Sequence, residues 1–424
     1  MPTPSAPQPG IRGRADICPG ALRLHPAEDG WLARVRVPGG QLTVAQARMI
    51  GLAAVELGDG NLGLTSRGNV QLRGLAVDAA TELRARLRAV GLLPSLAHDR
   101  ARNIVASPLS GLDGCGHLDV SPWVQVVDTI LCSRDDLTQL GGRFLIGMDD
   151  GRGDVASLHL DVTVIGTPDG MARLRLADVT TSVIVAAADA ARLAVDAAAA
   201  FLTVRADLGS DGWRAAELSE ATRLITRQLG EASYVTDTPR DAIPAAPVSP
   251  RLGVVHGPDA SVSLSVLSRL GQVSAEQWHA VTELATAGAA GSLRITPWRG
   301  IIIPHVRTDH VADMLSTLDS VGFLSAAGSP WSGTTACTGR PGCGRSLSDV
   351  RSDATAVLSA STPGLVGLPV HWSGCTRRCG HPSTRHVGVV ASETGYPVGV
   401  VGEASTPVPL AHLADAVQSA RRNA

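Results

Sequence analysis

The chain carries a copy of part of itself. Gly40-Gln41-Leu42-Thr43 returns as Gly271-Gln272-Val273-Ser274, an offset of 231 residues that persists through the segments that follow. Self-similarity on this scale restricts the fold more than any single motif, because both copies must form the same elements and bury equivalent apolar faces. In each copy the quartet opens a helix with a capping-box pair, Thr43 with Gln46 and Ser274 with Gln277, whose side chains satisfy the leading backbone donors reciprocally. Ile50, Ala53, Ala54 and Leu57 then mark an apolar stripe at helical spacing, matched by Val281, Leu284 and Ala285. A strand is expected next, over 61–75 in the first copy and 292–306 in the second, with one residue inserted around Trp298. A second helix carries Leu83, Leu87 and Val90-Gly91-Leu92-Leu93, against Met314, Leu318 and Val321-Gly322-Phe323-Leu324.

Each copy thus reads strand, helix, strand, helix, the order of half a ferredoxin-like module, and two such halves are expected to pair into one pseudo-symmetric sheet. Between them, 96–230 is expected to hold short strands at 143–148 and 158–164 followed by long helices, one of them over 213–229. The apolar run 183–201 is broken by Asp189, Arg192 and Asp196, which suits a soluble helix and not a membrane span. The first fifteen residues are rich in Pro, Ser and Gly without an apolar stretch, so a mobile tail is expected in a cytoplasmic protein. A proline-rich linker over 238–251 separates the halves.

The net charge of −2 argues against a nucleic-acid binder. Within that balance all 37 basic residues are arginine, so any anion gripped by a side-chain cation is gripped by arginine or histidine. The cysteines number seven, an odd count that suggests thiols or metal ligands before disulfides. Cys337 and Cys343 form a C-x5-C pair, and Cys375 and Cys379 a C-x3-C pair after 31 intervening residues. Four thiolates from two glycine-rich loops meet the requirement of a [4Fe-4S] cube. Structural zinc is the alternative, for which C-x5-C is wide. Cys18, Cys115 and Cys132 receive no role.

The turns LTSRGNVQLRGL and TPWRG, the segment DRARNIVASPLSG (99–111) and the two cysteine pairs together resemble the nitrite and sulfite reductase superfamily. The resemblance covers nearly the whole chain after the tail. It implies an α+β fold: a pseudo-two-fold repeat of ferredoxin-like half domains plus two reductase-type α/β domains, the second carrying a [4Fe-4S] cluster. The expected boundaries are 16–94 and 252–326 for the half domains, 95–237 for the first α/β domain and 327–424 for the cluster domain. The implied cluster ligands are Cys337, Cys343, Cys375 and Cys379. In sirohaem members a tetrapyrrole lies between the halves and the last cysteine bridges to its iron.

Within that superfamily, SGC-x3-C-x-HP, the opening 17–40 and FLIGMDDG (144–151) look like the precorrin-3B synthase branch. Sirohaem reductases carry lysines and an Arg-Pro element after the last cysteine; here there is no lysine, and Gly380-His381-Pro382 follows. The branch implies an O2-dependent monooxygenation of precorrin-3A in aerobic cobalamin synthesis, with a non-haem iron beside the cluster and an external electron donor, a reductase or ferredoxin. No strand-linked G-x-G-x-x-G is present to bind NAD(P)H directly. Arginine pairs carboxylates bidentately, so Arg67, Arg73, Arg102, Arg299 and, more weakly, Arg143 are the expected anchors of a carboxylate-rich ring. His381, Asp149 and Asp150 are weak candidates for the iron site or a general base, although an Asp pair before glycine also makes a plain turn. Arg377 and Arg378 could offset the cluster's charge, face a redox partner or simply be exposed. A sirohaem sulfite or nitrite reductase is the alternative function.

Overall fold

The computed structural model describes residues 19–218, 220–231, 251–288, 291–361, 367–382, 384–403 and 405–422. The tail over 1–15, Cys18 and the linker up to residue 250 lie outside them. One compact unit is built from Pro19–Pro94, Gly111–Cys115 and Pro247–Ala424, the other from Ser95–Ser110 and Gly116–Ala246.

In the first repeat the elements are β1 (His25–Ala27), β2 (Gly30–Val35), β3 (Gln41–Thr43), α1 (Val44–Leu57), β4 (Leu62–Leu64), β5 (Val70–Leu75) and α2 (Ala79–Ala89). The stretch between the repeats holds β6 (Ile104–Ala106), α3 (Ser121–Cys132), β7 (Ile146–Asp149), β8 (Val162–Gly166), β9 (Met171–Leu176), β10 (Val179–Ala186), α4 (Ala190–Asp207) and α5 (Ala221–Glu231). The second repeat gives β11 (Gly253–His256), β12 (Val262–Leu267), β13 (Gln272–Val273), α6 (Ala275–Gly288), β14 (Ser292–Ile295), β15 (Gly300–Val306) and α7 (Val311–Ser320). The chain ends in β16 (Thr334–Ala336), α8 (Val350–Ser359), β17 (Val370–Ser373), β18 (Val387–Val390), β19 (Tyr396–Val400), β20 (Pro407–Val408) and α9 (Leu413–Arg422).

The two repeats pair by exchanging a strand. Their sheets have the orders β1-β2-β5-β4-β13 and β11-β12-β15-β14-β3, so each receives its edge strand from the other copy. Gln272 and Val273 lie opposite Gly63 and Leu62, and Leu42 lies opposite Leu293. This corrects the expectation of one continuous sheet: two sheets form, and the exchanged strands cover edges that would otherwise present unpaired backbone groups. The single strands expected over 61–75 and 292–306 are hairpins, β4–β5 and β14–β15. Their turns contain Arg67 and Arg299, with positive φ at Gly68 and at Arg299.

Both capping boxes form, with Gln46 N–H donating to Thr43 Oγ1 at 3.2 Å and Gln277 N–H to Ser274 Oγ at 3.2 Å. Each glutamine also donates through Nε2 to the end of the second helix of its own repeat, Gln46 to the Val90 carbonyl and Gln277 to the Val321 carbonyl. The apolar stripes of α1 and α6 share one core, in which Ile50, Ala53, Val281 and Ala285 are fully buried together with Leu72, Leu264 and Ile303. Trp278 closes it, donating from Nε1 to the Ala47 carbonyl at 2.8 Å.

A second repetition, not visible in the residues, relates the two α/β regions. Strands β6-β7-β8-β9-β10 and β16-β17-β18-β19-β20 have the same order, with the first three of each set parallel and the fourth antiparallel to the third. The expected strands at 143–148 and 158–164 fall at Ile146–Asp149 and Val162–Gly166. The apolar run 183–201 divides into the end of β10 and the start of α4, and the helix expected from Trp213 begins at Ala221. No helix among the described residues is long and apolar enough to cross a membrane.

Candidate functional site

The four cysteines gather at the carboxyl ends of two adjacent parallel strands. Cys337 follows β16 directly, and Cys375 follows β17 by one residue, Gly374. Strand ends at one edge of a parallel sheet converge side by side, which is why such edges hold ligands. Gly374 N–H donates to Cys337 Sγ at 3.2 Å, and Cys337 N–H donates to the Trp372 carbonyl. A Cβ on Gly374 would lie 1.8 Å from Ser346 Oγ, and one on Gly342 would lie 2.6 Å from Asp29 Oδ2, so these close approaches require glycine.

Burial pushes the Cys379 thiol up; Arg377 opposes this, and the negative charges of Cys337, Cys375 and Cys343 add to it. All four sulfurs therefore sit in one electrostatic neighbourhood. Among the described residues, the only group of three or more Cys, His, Asp or Glu ligand atoms falling within 4.8 Å of one another is Asp149, Asp150 and Asp154. No three of the four sulfurs therefore lie all within 4.8 Å of one another, whereas tetrahedral zinc at a Zn–S bond of about 2.3 Å gathers them to about 3.8 Å. A donor set of four thiols with an amide N–H aimed at one sulfur fits a [4Fe-4S] cube with one thiolate at each iron. None of the described cysteines is in a disulfide.

Histidines lie beside Cys379. His371, buried on β17, shares hydrogen bonds with Thr335 Oγ1 at 2.8 Å and the Cys379 carbonyl at 3.1 Å. Burial, with the Arg299 charge adding to it, holds this imidazole at about 3, so it is neutral. His381 is exposed, its Nδ1 2.8 Å from the Pro382 carbonyl, and its ring stacks on that of His386 with centroids 5.5 Å apart.

The expected anchor arginines divide. Arg299 packs against Gly271, whose Cβ would lie 2.4 Å from Arg299 Cδ. Burial pulls its guanidinium down to about 10, with the positive charge of Arg351 adding to the effect. Arg67 is half-buried in the matching turn, its backbone N–H on Thr65 Oγ1. Arg73 is committed elsewhere: it grips Asp29 with two bonds of 2.7 Å and donates to the Gly342 carbonyl at 2.8 Å, tying the β1–β2 turn to the cysteine loop.

In the other unit Arg102 is 2% exposed and bound bidentately by Asp128, which makes it a core ion pair and not a free anchor. Arg143 is exposed and stacks 4.7 Å above the Trp213 ring. Asp149 and Asp150 lie with Asp154 in a buried group whose carboxylate oxygens fall within 4.8 Å of one another. Asp149 accepts from the amides of Gly151, Gly153, Val155 and Ala156, organising the loop after β7. Asp150 is clamped by Arg152. Burial pushes the neighbouring Asp154 carboxyl up to about 7, with the Asp149 charge adding to it. Sequence reasoning missed Arg351, half-buried on α8, whose Nε donates to the Cys337 carbonyl at 2.9 Å; no motif marks it.

Comparison with known proteins agrees with this architecture. The nitrite/sulfite reductase ferredoxin-like half domain matches twice, at residues 25–90 and 256–321. The chain therefore carries that half domain in duplicate, on a nitrite/sulfite reductase fold. A ferredoxin–nitrite reductase of Synechococcus elongatus is 26% identical over 86% of this chain and 76% of its own length. A precorrin-3B synthase of a Sinorhizobium species is 25% identical over 92% of this chain and 84% of its own length. Among solved structures the Mycobacterium tuberculosis NirA protein superposes with a TM-score of 0.73 at 19% identity, covering 93% of this chain and 80% of that one.

Proposed function

We propose that this protein is an O2-dependent monooxygenase of corrin synthesis that converts precorrin-3A to precorrin-3B, hydroxylating the macrocycle while a ring acetate closes as a γ-lactone. The observation that carries the reading is the set of four thiols at the β16 and β17 ends followed by the Gly380-His381-Pro382 turn, in a chain without lysine. A relative named precorrin-3B synthase that spans 92% of the chain supports it.

Cys337, Cys343, Cys375 and Cys379 would hold a [4Fe-4S] cluster. When bound, that cluster and a non-haem iron supply one-electron transfer and oxygen reduction. The chain's own residues bind, orient and shield. Arg299 and Arg67, in the two matching turns, pair ring carboxylates. Arg73 and Arg102, spent on Asp29 and Asp128, hold the framework instead. For the iron, His381 and His386 offer Nε2, since their Nδ1 atoms face the Pro382 and Thr384 carbonyls. Two electrons and two protons come from outside; one oxygen atom enters the product and the other leaves as water. The cysteine loops carry Arg340, Arg345, Arg377 and Arg378 and no carboxylate over 334–348 and 371–392, which suits an acidic electron carrier such as ferredoxin.

The nitrite reductase likeness, at 26% identity against 25%, keeps a sirohaem sulfite or nitrite reductase as the second reading. One incubation separates them. Reconstituted protein with precorrin-3A, O2 and a reductant is expected to give a product one oxygen atom heavier by mass spectrometry, labelled when 18O2 is used. Reduction of sulfite or nitrite without that product, by protein showing sirohaem absorption, refutes the monooxygenase.

A further inference from the structure

The unit that holds the cysteines contains a cation with no dedicated anion. Arg351 sits in the first turn of α8 with its Nε fixed on the Cys337 carbonyl. Its remaining guanidinium nitrogens meet no carboxylate partner among the described residues. The two carboxylates within electrostatic reach, Asp349 and Asp29, are already engaged. Asp349 accepts from Ser352 N–H as the cap of α8, and Asp29 is held bidentately by Arg73. Arg73 and Arg299 both repel Arg351, and Arg299 has no ion-pair partner of its own among the described residues. Two guanidinium groups thus act on Arg351, against two carboxylates that are already engaged. Like charges are not gathered in a desolvated place unless something negative completes the site.

We infer that Arg351 is a positioning residue for the iron–sulfur centre: its fixed positive charge, beside Cys337 and backed by Arg299, compensates the anionic tetrathiolate cluster and raises its reduction potential. The inference rests on the cluster assignment made above. Four thiolates around a cube leave a net negative charge, and reduction adds one more electron, so a nearby buried cation favours the reduced form. At an effective dielectric of about 20, losing a unit charge about 12 Å from the centre changes the ratio of reduced to oxidised centres at a fixed potential by about tenfold, which is about 59 mV for a one-electron couple. The other charged and titratable groups of the site, His371 and Arg377, stay the same in the comparison below.

The test is an EPR-monitored redox titration of the full-length reconstituted protein as wild type, Arg351→Gln and Arg351→Lys, with iron and acid-labile sulfide measured on each. R351Q is expected to load the same iron and sulfide and to need a potential about 59 mV lower for half-reduction, while R351K stays close to wild type. If R351Q fails to load but R351K loads at the wild-type potential, the charge is still what holds the centre. A fully loaded R351Q with an unchanged potential overturns the inference. So does equal impairment of both variants, which would make the Cys337 carbonyl contact the whole role. Wild-type protein without iron and sulfide refutes the cluster assignment itself, a different failure.

Discussion

Asp154 gives the sharpest stability experiment. It lies buried after β7 with Ser107 Oγ donating to it at 2.5 Å and its own Oδ1 accepting from Val155 N–H. Asp149, Asp150 and Arg152 surround it electrostatically. Burial raises the Asp149 carboxyl against the four amide donors that favour its anion, and burial pushes Asp154 up to about 7. An unfolded aspartate titrates at about 3.9. Because the folded value is raised, the native state binds the extra proton: this carboxyl does not penalise folding below about 4, and stability falls as pH rises from there to about 7. At about 1.4 kcal/mol per pH unit the full penalty is about 4 kcal/mol above neutrality. Asp154→Asn removes the titration and keeps an oxygen for Ser107 and Val155. The variant should be more stable than wild type by about 4 kcal/mol at pH 8, or about 8–16 °C in the transition of that unit, with the difference vanishing near pH 4. Thermal denaturation followed by circular dichroism between pH 4 and pH 8 measures it. A variant less stable than wild type at pH 8, or a difference that does not change with pH, refutes the reasoning.

Other perturbations follow from the same geometry. Cys375→Ser removes one of four thiolates and should abolish iron–sulfur absorption while leaving far-UV circular dichroism near wild type. Gly374→Ala drives a Cβ to within 1.8 Å of Ser346 Oγ; cluster loading by sulfide assay should drop sharply with all cysteines intact. Arg73→Ala severs the Asp29 clamp and the Gly342 carbonyl contact, and the partly buried pair predicts a loss of about 2 kcal/mol in denaturant melts.

What the residues disclosed followed from interaction range. The repeat, both capping boxes and the cysteine pairs are written in contacts a few positions apart, and they were readable at once. The strand exchange was not, because β3 and β13 span three and two residues and carry no periodicity to announce a partner in the other copy. The hairpin turns at Arg67 and Arg299 were absorbed into single strands although Gly68 and Gly300 punctuate them. The likeness of the two α/β regions survives as strand order alone, with carboxylates after β7 where thiols follow β17. Arginine roles depended on distant partners: Asp128 closes Arg102 from 26 positions away and Asp29 closes Arg73 from 44. No local pattern separates those from Arg299, which has no ion pair among the described residues.

The account turns on what the four thiols hold, and direct analysis of protein purified without oxygen decides it. About four iron atoms and about four acid-labile sulfides per chain, with an EPR signal appearing on reduction, are the expected result. One zinc ion per chain with no sulfide would contradict the cluster and, with it, both redox readings.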